Sequence, residues 1–86
     1  MASYSIEWRK SAEKEFHKLP KRDKAALIAR ILDLGKTPRP VGYKKLEGMS
    51  DTYRIRYGNF RVLYQIEDGV LIVLIVNVSH RKDVYR

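Results

Sequence analysis

Three arginines lie close together in a stretch of alternating polar and apolar residues, from Thr52 to Tyr64. Arg54 and Arg56 are two positions apart, and Arg61 follows shortly after them. Alternate residues of a β-strand project from the same face, about 6.6 Å apart, so the first two guanidinium groups should lie side by side. A guanidinium is permanently charged and presents a fork of N–H donors that fits phosphate oxygens. The spacing therefore predicts a face that binds a phosphodiester backbone.

The same stretch has the pattern of a β-hairpin. Gly58-Asn59 can adopt the positive φ of a tight turn between two strands. Pairing the apolar residues of the two strands over a core places Arg61 on the same face as Arg54 and Arg56. An ordinary solvated sheet face is the alternative. Three like charges repel one another without a ligand, which favours a binding role.

The C-terminal segment His80-Arg81-Lys82-Asp83-Val84-Tyr85-Arg86 is the second group of residues that could do chemistry. A neutral His80 suits a general base near pH 7. Tyr85 can act in the same way if neighbouring arginines lower its pKa, because cations favour the phenolate. The alternative is a solvated basic tail without a catalytic role.

Composition narrows the possible partners. The chain has 18 Lys and Arg residues against 10 Asp and Glu, a formal net charge of +8, which is typical of domains that contact nucleic acid, acidic proteins or anionic surfaces. It has no cysteine, which excludes disulfides and fits a reducing cytoplasm. We expect no metal or other cofactor, because no His or carboxylate pair has ligand spacing. The longest apolar run, Val70–Val76, is too short to span a membrane.

The periodicity of apolar residues predicts a single α+β domain over residues 1–86. Two helices, joined as an αα-hairpin, should pack on one face of an antiparallel meander sheet that follows an N-terminal strand. Gly35 is expected to cap the second helix. The last strand is apolar on both faces, which predicts that it is buried on both sides or nearly so. The predicted elements are strand Ser3–Trp8, helices Arg9–Lys18 and Lys21–Leu34, a brief strand Lys44–Leu46, the arginine hairpin, and strand Val70–Val78.

Several motifs resemble the RelE toxin family of the RelE/ParE superfamily. They are Trp8-Arg9-Lys10-Ser11-Ala12, Phe16-His17-Lys18-Leu19-Pro20, Lys45-Leu46-Glu47-Gly48-Met49, Tyr53-Arg54-Ile55-Arg56, Phe60-Arg61-Val62-Leu63-Tyr64 and His80-Arg81-Lys82-Asp83-Val84-Tyr85. The resemblance implies the toxin of a type II toxin–antitoxin pair, with a RelB-like antitoxin that is acidic or has an amphipathic helix. RelE-like members cleave mRNA in the A site of the 70S ribosome without metal, through attack by the 2′-hydroxyl.

The resemblance also implies roles for individual residues. Tyr85 would be the base on the 2′-hydroxyl, and Arg61 with Arg81 would stabilise the charged phosphorane. Arg56 stands where the family commonly has lysine and would assist the leaving oxygen. Arginine holds its proton too tightly to be a good proton donor, so His80 is expected to share the proton transfer. Contacts to the RNA backbone are assigned to Arg54, Lys44, Lys45 and Lys82.

Two other functions fit the sequence. A ParE-like protein would inhibit DNA gyrase and need no catalytic residues of its own. A basic RNA- or ribosome-binding module without catalysis would bind in a salt-dependent way and release no product. The full set of basic residues at RelE-like positions favours the nuclease.

Overall fold

The structure is a computed structural model that describes residues 3–49 and 51–80. The described chain forms five strands and two helices, which follow one another in the predicted order. They are β1 (Ser5–Trp8), α1 (Lys10–His17), α2 (Lys21–Asp33), β2 (Lys44–Lys45), β3 (Thr52–Tyr57), β4 (Phe60–Glu67) and β5 (Ile72–His80).

All five strands belong to one sheet with the order β1-β5-β4-β3-β2. The pairs β2–β3, β3–β4 and β4–β5 are antiparallel, which confirms the predicted meander. The N-terminal strand β1 pairs with β5 in parallel, with Ser5 opposite Ile72 and Trp8 opposite Ile75. The first and last described strands therefore meet at one edge, and the short β2 forms the other.

One face of the sheet carries the hydrophobic core. Ala12 of α1 and Leu27 and Ile31 of α2 are completely buried, in one cluster with Tyr64 and Ile75 of the sheet. These contacts confirm the predicted packing of both helices on one face of the sheet. Both helices cover this face. Because successive side chains of a strand point to opposite faces, every second side chain points away from the core.

Strand β5 differs from the prediction at its start, and its two faces differ in burial. The preceding turn extends through Leu71, whose φ of 56° lies in the left-handed region, and Val70 is 62% exposed. The strand therefore begins at Ile72 rather than at Val70. Val73 and Ile75 are buried, but the alternate residues Ile72 and Leu74 are only partly buried. Burial is therefore nearly complete on one face and partial on the other, because the helices cover only one.

Gly35 is not the helix cap that its position suggests. Helix α2 is capped by Leu34 in the right-handed conformation, and Gly35 is not among the described glycines with positive φ. A Cβ atom at Gly35 would lie 2.9 Å from the carbonyl oxygen of Tyr4 and 3.2 Å from that of Leu32. The Tyr4 N–H donates to the Gly35 carbonyl at 2.7 Å. Glycine is required here because the chain entering β1 passes too close for a side chain.

The loop between α2 and β2 is fastened to the sheet by polar contacts. Arg39 donates to both carboxylate oxygens of Asp68, at 3.0 and 3.5 Å, and the Tyr4 hydroxyl donates to the same carboxylate at 2.6 Å. These hydrogen bonds, from Arg39 first and Tyr4 second, hold the pKa of Asp68 below its usual value. The buried Tyr64 hydroxyl donates to the Pro38 carbonyl at 2.8 Å. Burial raises the pKa of Tyr64, so this hydroxyl stays a donor.

We expect the Gly35→Ala substitution to destabilise the fold by about 1–3 kcal/mol, because the new methyl group must displace backbone rather than a flexible side chain. Urea unfolding followed by circular dichroism measures the change. Gly69→Ala is the matched control, since a Cβ there meets no atom within 4 Å. Equal stabilities of the two variants would contradict the packing role of Gly35.

We expect Asp68→Asn to lower the melting temperature at pH 7 by a few degrees, and the difference from the parent to disappear in acid. A carboxyl whose pKa is lower in the folded state stabilises the protein above its unfolded pKa, near 3.8, and loses that effect as the pH falls through the folded pKa. Thermal melts at pH 7 and pH 2.5 test this, with the exposed Glu47→Gln as control. An equal loss at both pH values would show that charge is not the cause.

Candidate nucleic-acid interface

The hairpin of β3 and β4 brings arginines of the two strands face to face. Tyr57 and Phe60 close a two-residue turn in which Gly58 has a φ of +58°. Arg56 and Arg61 are the next pair, directly opposite each other. In a two-residue hairpin, the pair next to the turn-closing pair exchanges no backbone hydrogen bonds, and the Cα atoms of such a pair approach to about 4.5 Å. Two permanent positive charges are thus placed together by the register alone.

Arg54 completes this group, which we call the arginine face: Arg54, Arg56 and Arg61 on the side of the sheet opposite the helices. Arg54 is only 8% exposed and lies between Leu63 of β4 and Lys44 of β2. Burial lowers the pKa of Arg54, and the charges of Arg56 and Arg61 lower it further. The predicted convergence of the three side chains on one face is what the register produces.

The arginine face has no internal counter-charge in the described part of the chain. The ion pair that occurs between described residues is Arg39–Asp68, at 3.0 Å, and it involves none of the three arginines. A positive group that is removed from water without a partner is costly, and like charges directly opposite one another add to that cost. An anion bound across this face would relieve both effects. The face is therefore suited to phosphate groups.

The two lysines of β2 fall on different sides of the sheet. Lys44 pairs with Arg54 and so shares its face, whereas Lys45 pairs with Tyr53 of the core side. Both residues are exposed at the sheet edge. The structure brings Lys44 to the arginine face and does not bring Lys45 there.

His80, at the end of β5, also lies away from the arginines. Its ring packs edge-on against Phe60, with 4.9 Å between ring centroids, and Phe60 is buried on the helical side. Ser79 is instead the residue opposite Arg61. The placement of His80 gives no support to its predicted role in proton transfer. The other predicted C-terminal site residues, Arg81, Lys82 and Tyr85, lie outside the described residues.

Small polar residues border the arginine face, and the sequence did not single them out. Ser79 lies across from Arg61, and Thr52 is completely buried two positions before Arg54. The Gln65 side-chain amide approaches the Thr52 hydroxyl at 3.4 Å. Strand parity was the available signal, because it places all three on the face opposite the core.

Within residues 3–49 and 51–80, no three His, Asp or Glu side chains are grouped so that they could hold a metal ion. Neither helix of that part of the chain is long and apolar enough to cross a membrane.

Comparison with known proteins places this basic α+β domain among the toxins of type II toxin–antitoxin systems. The family model described as ParE toxin of type II toxin-antitoxin system, parDE, matches residues 6–85. Toxin RelG of Mycobacterium tuberculosis is 36% identical over 84 residues, which cover 96% of this chain and 97% of RelG. The chain belongs to the RelE/ParE toxin family.

Solved structures show the same fold. The toxin–antitoxin complex RelBE2 of Mycobacterium tuberculosis contains a chain with a TM-score of 0.82 and 33% identity, covering 93% of this chain and 100% of that one. The intact RelBE complex of Escherichia coli matches with a TM-score of 0.80 and 28% identity, covering 91% of this chain and 96% of that one. These matches confirm the predicted α+β class and the resemblance to RelE toxins.

We expect Arg54→Met to raise the melting temperature and to weaken RNA binding about fivefold or more. Methionine fills a similar volume without a buried charge beside two others, and one phosphate contact is lost. Thermal melts and fluorescence anisotropy with a short RNA measure the two effects. Arg22→Met removes the same charge from an exposed position of α2 and should change neither. A lower melting temperature for Arg54→Met would contradict the description of Arg54 as an uncompensated charge.

Proposed function

We propose that this protein is a ribosome-dependent mRNA endoribonuclease that inhibits translation as the toxin of a type II toxin–antitoxin pair. The observation that carries the proposal is the arginine face, in which a buried Arg54 and the opposed pair Arg56 and Arg61 have no carboxylate partner among the described residues. Membership of the RelE/ParE family supports the same conclusion. The protein acts in the cytoplasm as a single domain.

The proposed reaction needs no metal or other cofactor. The 2′-oxygen of one nucleotide attacks the adjacent phosphorus, and the bond from phosphorus to the 5′-oxygen breaks. The products are a 2′,3′-cyclic phosphate and a 5′-hydroxyl. Tyr85, as the phenolate, takes the proton of the 2′-hydroxyl, and water held at Arg56 gives a proton to the leaving 5′-oxygen. The hydroxide that remains takes the proton from Tyr85 through solvent, which restores both the phenolate and the water. A positioned base typically contributes about 10²–10⁴-fold in rate.

The guanidinium groups supply the electrostatic part of the catalysis. Arg61 and Arg81 stabilise the negative charge that grows on the phosphorane, while Arg54 and Lys44 hold the neighbouring backbone. In GTPases, an arginine at the transferring phosphoryl group is worth about 10³–10⁵-fold in rate. Because a guanidinium is a poor proton donor, Arg56 assists the leaving oxygen as a hydrogen-bond donor rather than as an acid.

The shape of the site supports the proposed dependence on the ribosome. The arginines lie on a sheet surface, which offers phosphate contacts. This surface does not by itself fix the angle at phosphorus between the attacking 2′-oxygen and the leaving 5′-oxygen. In-line attack depends on that angle, and correct orientation is worth several orders of magnitude. We propose that the A site of the 70S ribosome holds the mRNA in this geometry.

A RelB-like antitoxin is the proposed regulatory partner. The similar chains of Mycobacterium tuberculosis and Escherichia coli were solved as RelBE toxin–antitoxin complexes. An acidic segment or an amphipathic helix with carboxylates would supply the counter-charge that the arginine face lacks. It would thereby stabilise the toxin and block access of RNA.

The second candidate function is inhibition of DNA gyrase, which the match to the ParE family model favours. This activity would not depend on Tyr85 or on a 2′-hydroxyl. A supercoiling assay with purified gyrase distinguishes it from RNA cleavage.

We expect the parent protein to cut mRNA within the A-site codon of stalled ribosomes, and Arg61→Ala to reduce the cutting rate at least about 100-fold, because it removes a charge at the reacting phosphate. Primer extension on a defined message maps the cuts. Arg22→Ala, which removes an equal charge from the exposed surface of α2, should cut like the parent.

Further arms separate the alternatives. Tyr85→Phe should abolish the cuts if the phenolate is the base. A folded parent protein that produces no cuts but blocks supercoiling would replace the nuclease by the gyrase inhibitor. Salt-dependent ribosome binding with neither activity would reduce the protein to a binding module.

A further inference from the structure

A second potential ligand site lies beside the arginine face, at the free edge of β3. A cavity of about 630 Å³ opens between the end of α2, the loop that follows it and this strand. Its size is within the range of about 300–1,000 Å³ that is typical of small-ligand sites. Arg54 and Arg56 belong to both the cavity lining and the arginine face, so the two sites are continuous.

The cavity is strongly basic. Five of its lining residues are positively charged and one, Asp33, is negative. No ion pair of 4 Å or less between described residues involves any of the five. The excess of positive charge in a confined space attracts anions and opposes the approach of cations. The five are Arg30, Lys36, Lys44, Arg54 and Arg56.

The rest of the lining is apolar except for Thr37. Leu34 and Ile55, both nearly fully buried, contribute to the wall, and Val41 of the loop lines the cavity while its side chain is fully exposed. A base or sugar ring can contact such a surface, whereas a bare inorganic anion cannot use it. A ligand that combines a ring with a phosphate fits both parts of the lining.

The edge of β3 adds backbone donors. β2 consists only of Lys44 and Lys45, which pair with Arg54 and Tyr53, so no described strand covers β3 at Arg56. Leu46 donates to the Thr52 carbonyl, which shows that backbone groups of even-numbered β3 residues point to this edge. The Arg56 N–H is therefore directed outward beside the cavity.

We propose that this cavity binds a nucleoside phosphate unit, as the nucleotide next to the one held on the arginine face. The inference rests on the proposed function, because it adds a second nucleotide site to the same RNA path. Arg30 and Lys36 hold the phosphate, and the apolar wall contacts the base or ribose. An acidic peptide would satisfy the charges but would leave the apolar wall without a matching ring, which favours the nucleotide.

Binding of an uncleavable probe tests the proposal separately from catalysis. The probe is a fluorescent 2′-O-methyl RNA pentanucleotide, which lacks the attacking hydroxyl, and anisotropy is measured over a range of salt concentrations. We expect Lys36→Glu and the double variant Arg30→Ala/Lys36→Ala each to weaken binding fivefold or more. The double variant should also lower the slope of log K against log salt by about 0.7, because the two side chains together neutralise one phosphate of a single strand.

Lys21→Ala/Arg22→Ala is the matched control, because it removes two charges from the same helix at exposed positions outside the cavity. Circular dichroism confirms that each variant is folded. Lys36→Glu keeps the test decisive if the double variant does not fold, because Lys36 is exposed. Parent-like affinity of Lys36→Glu for both the pentanucleotide and AMP would overturn the proposal.

Competition with AMP identifies the source of the nucleotide. Displacement of the probe only at much higher AMP concentration supports a site for RNA, and displacement at comparable concentration supports a site for a free nucleotide. Cleavage assays on ribosomes with the same variants separate the two claims. If the cavity variants bind the probe and cleave mRNA like the parent, only the cavity proposal is overturned. If the cavity variants bind the probe more weakly and the parent does not cleave mRNA, only the proposed nuclease activity is overturned.

Discussion

Electrostatic repulsion within the arginine face is the constraint on which the rest of the structure depends. Arg56 and Arg61 are fixed opposite each other by the hairpin register, and Arg54 is buried beside them. No described carboxylate compensates these charges. The fold must therefore supply enough apolar burial elsewhere to tolerate a surface that is favourable only when an anion is bound.

The asymmetry of the sheet meets this requirement. Both helices pack on one face, where Leu27, Ile31 and Tyr64 are buried. The opposite face is left for polar and charged side chains. The Arg39–Asp68 pair and the Tyr64 hydroxyl fasten the loop after α2, which borders the cavity at the β3 edge. The stabilising contacts and the arginine face are thus on different surfaces, so the uncompensated charges do not interrupt the core.

Local patterns in the sequence predicted most of this arrangement. Strand alternation placed the three arginines on one face, because the side-chain period of two is fixed by backbone geometry. Properties that depend on distant parts of the chain were not predictable. The need for Gly35 arises from the passage of Tyr4, and the position of His80 depends on its pairing with Phe60. The cavity joins Arg30 and Arg56, which no local pattern connects.

The most direct test of the account is the response of arginine side chains to an uncleavable RNA dinucleotide, followed by the Nε–H resonances in NMR spectra. The account predicts that the resonances of Arg54, Arg56 and Arg61 shift and become protected from solvent exchange, because their guanidinium groups bind phosphate. The Nε–H resonances of Arg9 and Arg22, which are exposed on the helical side, should keep the chemical shifts that they have without the dinucleotide. Unchanged resonances of the three face arginines at saturating dinucleotide would contradict the central claim.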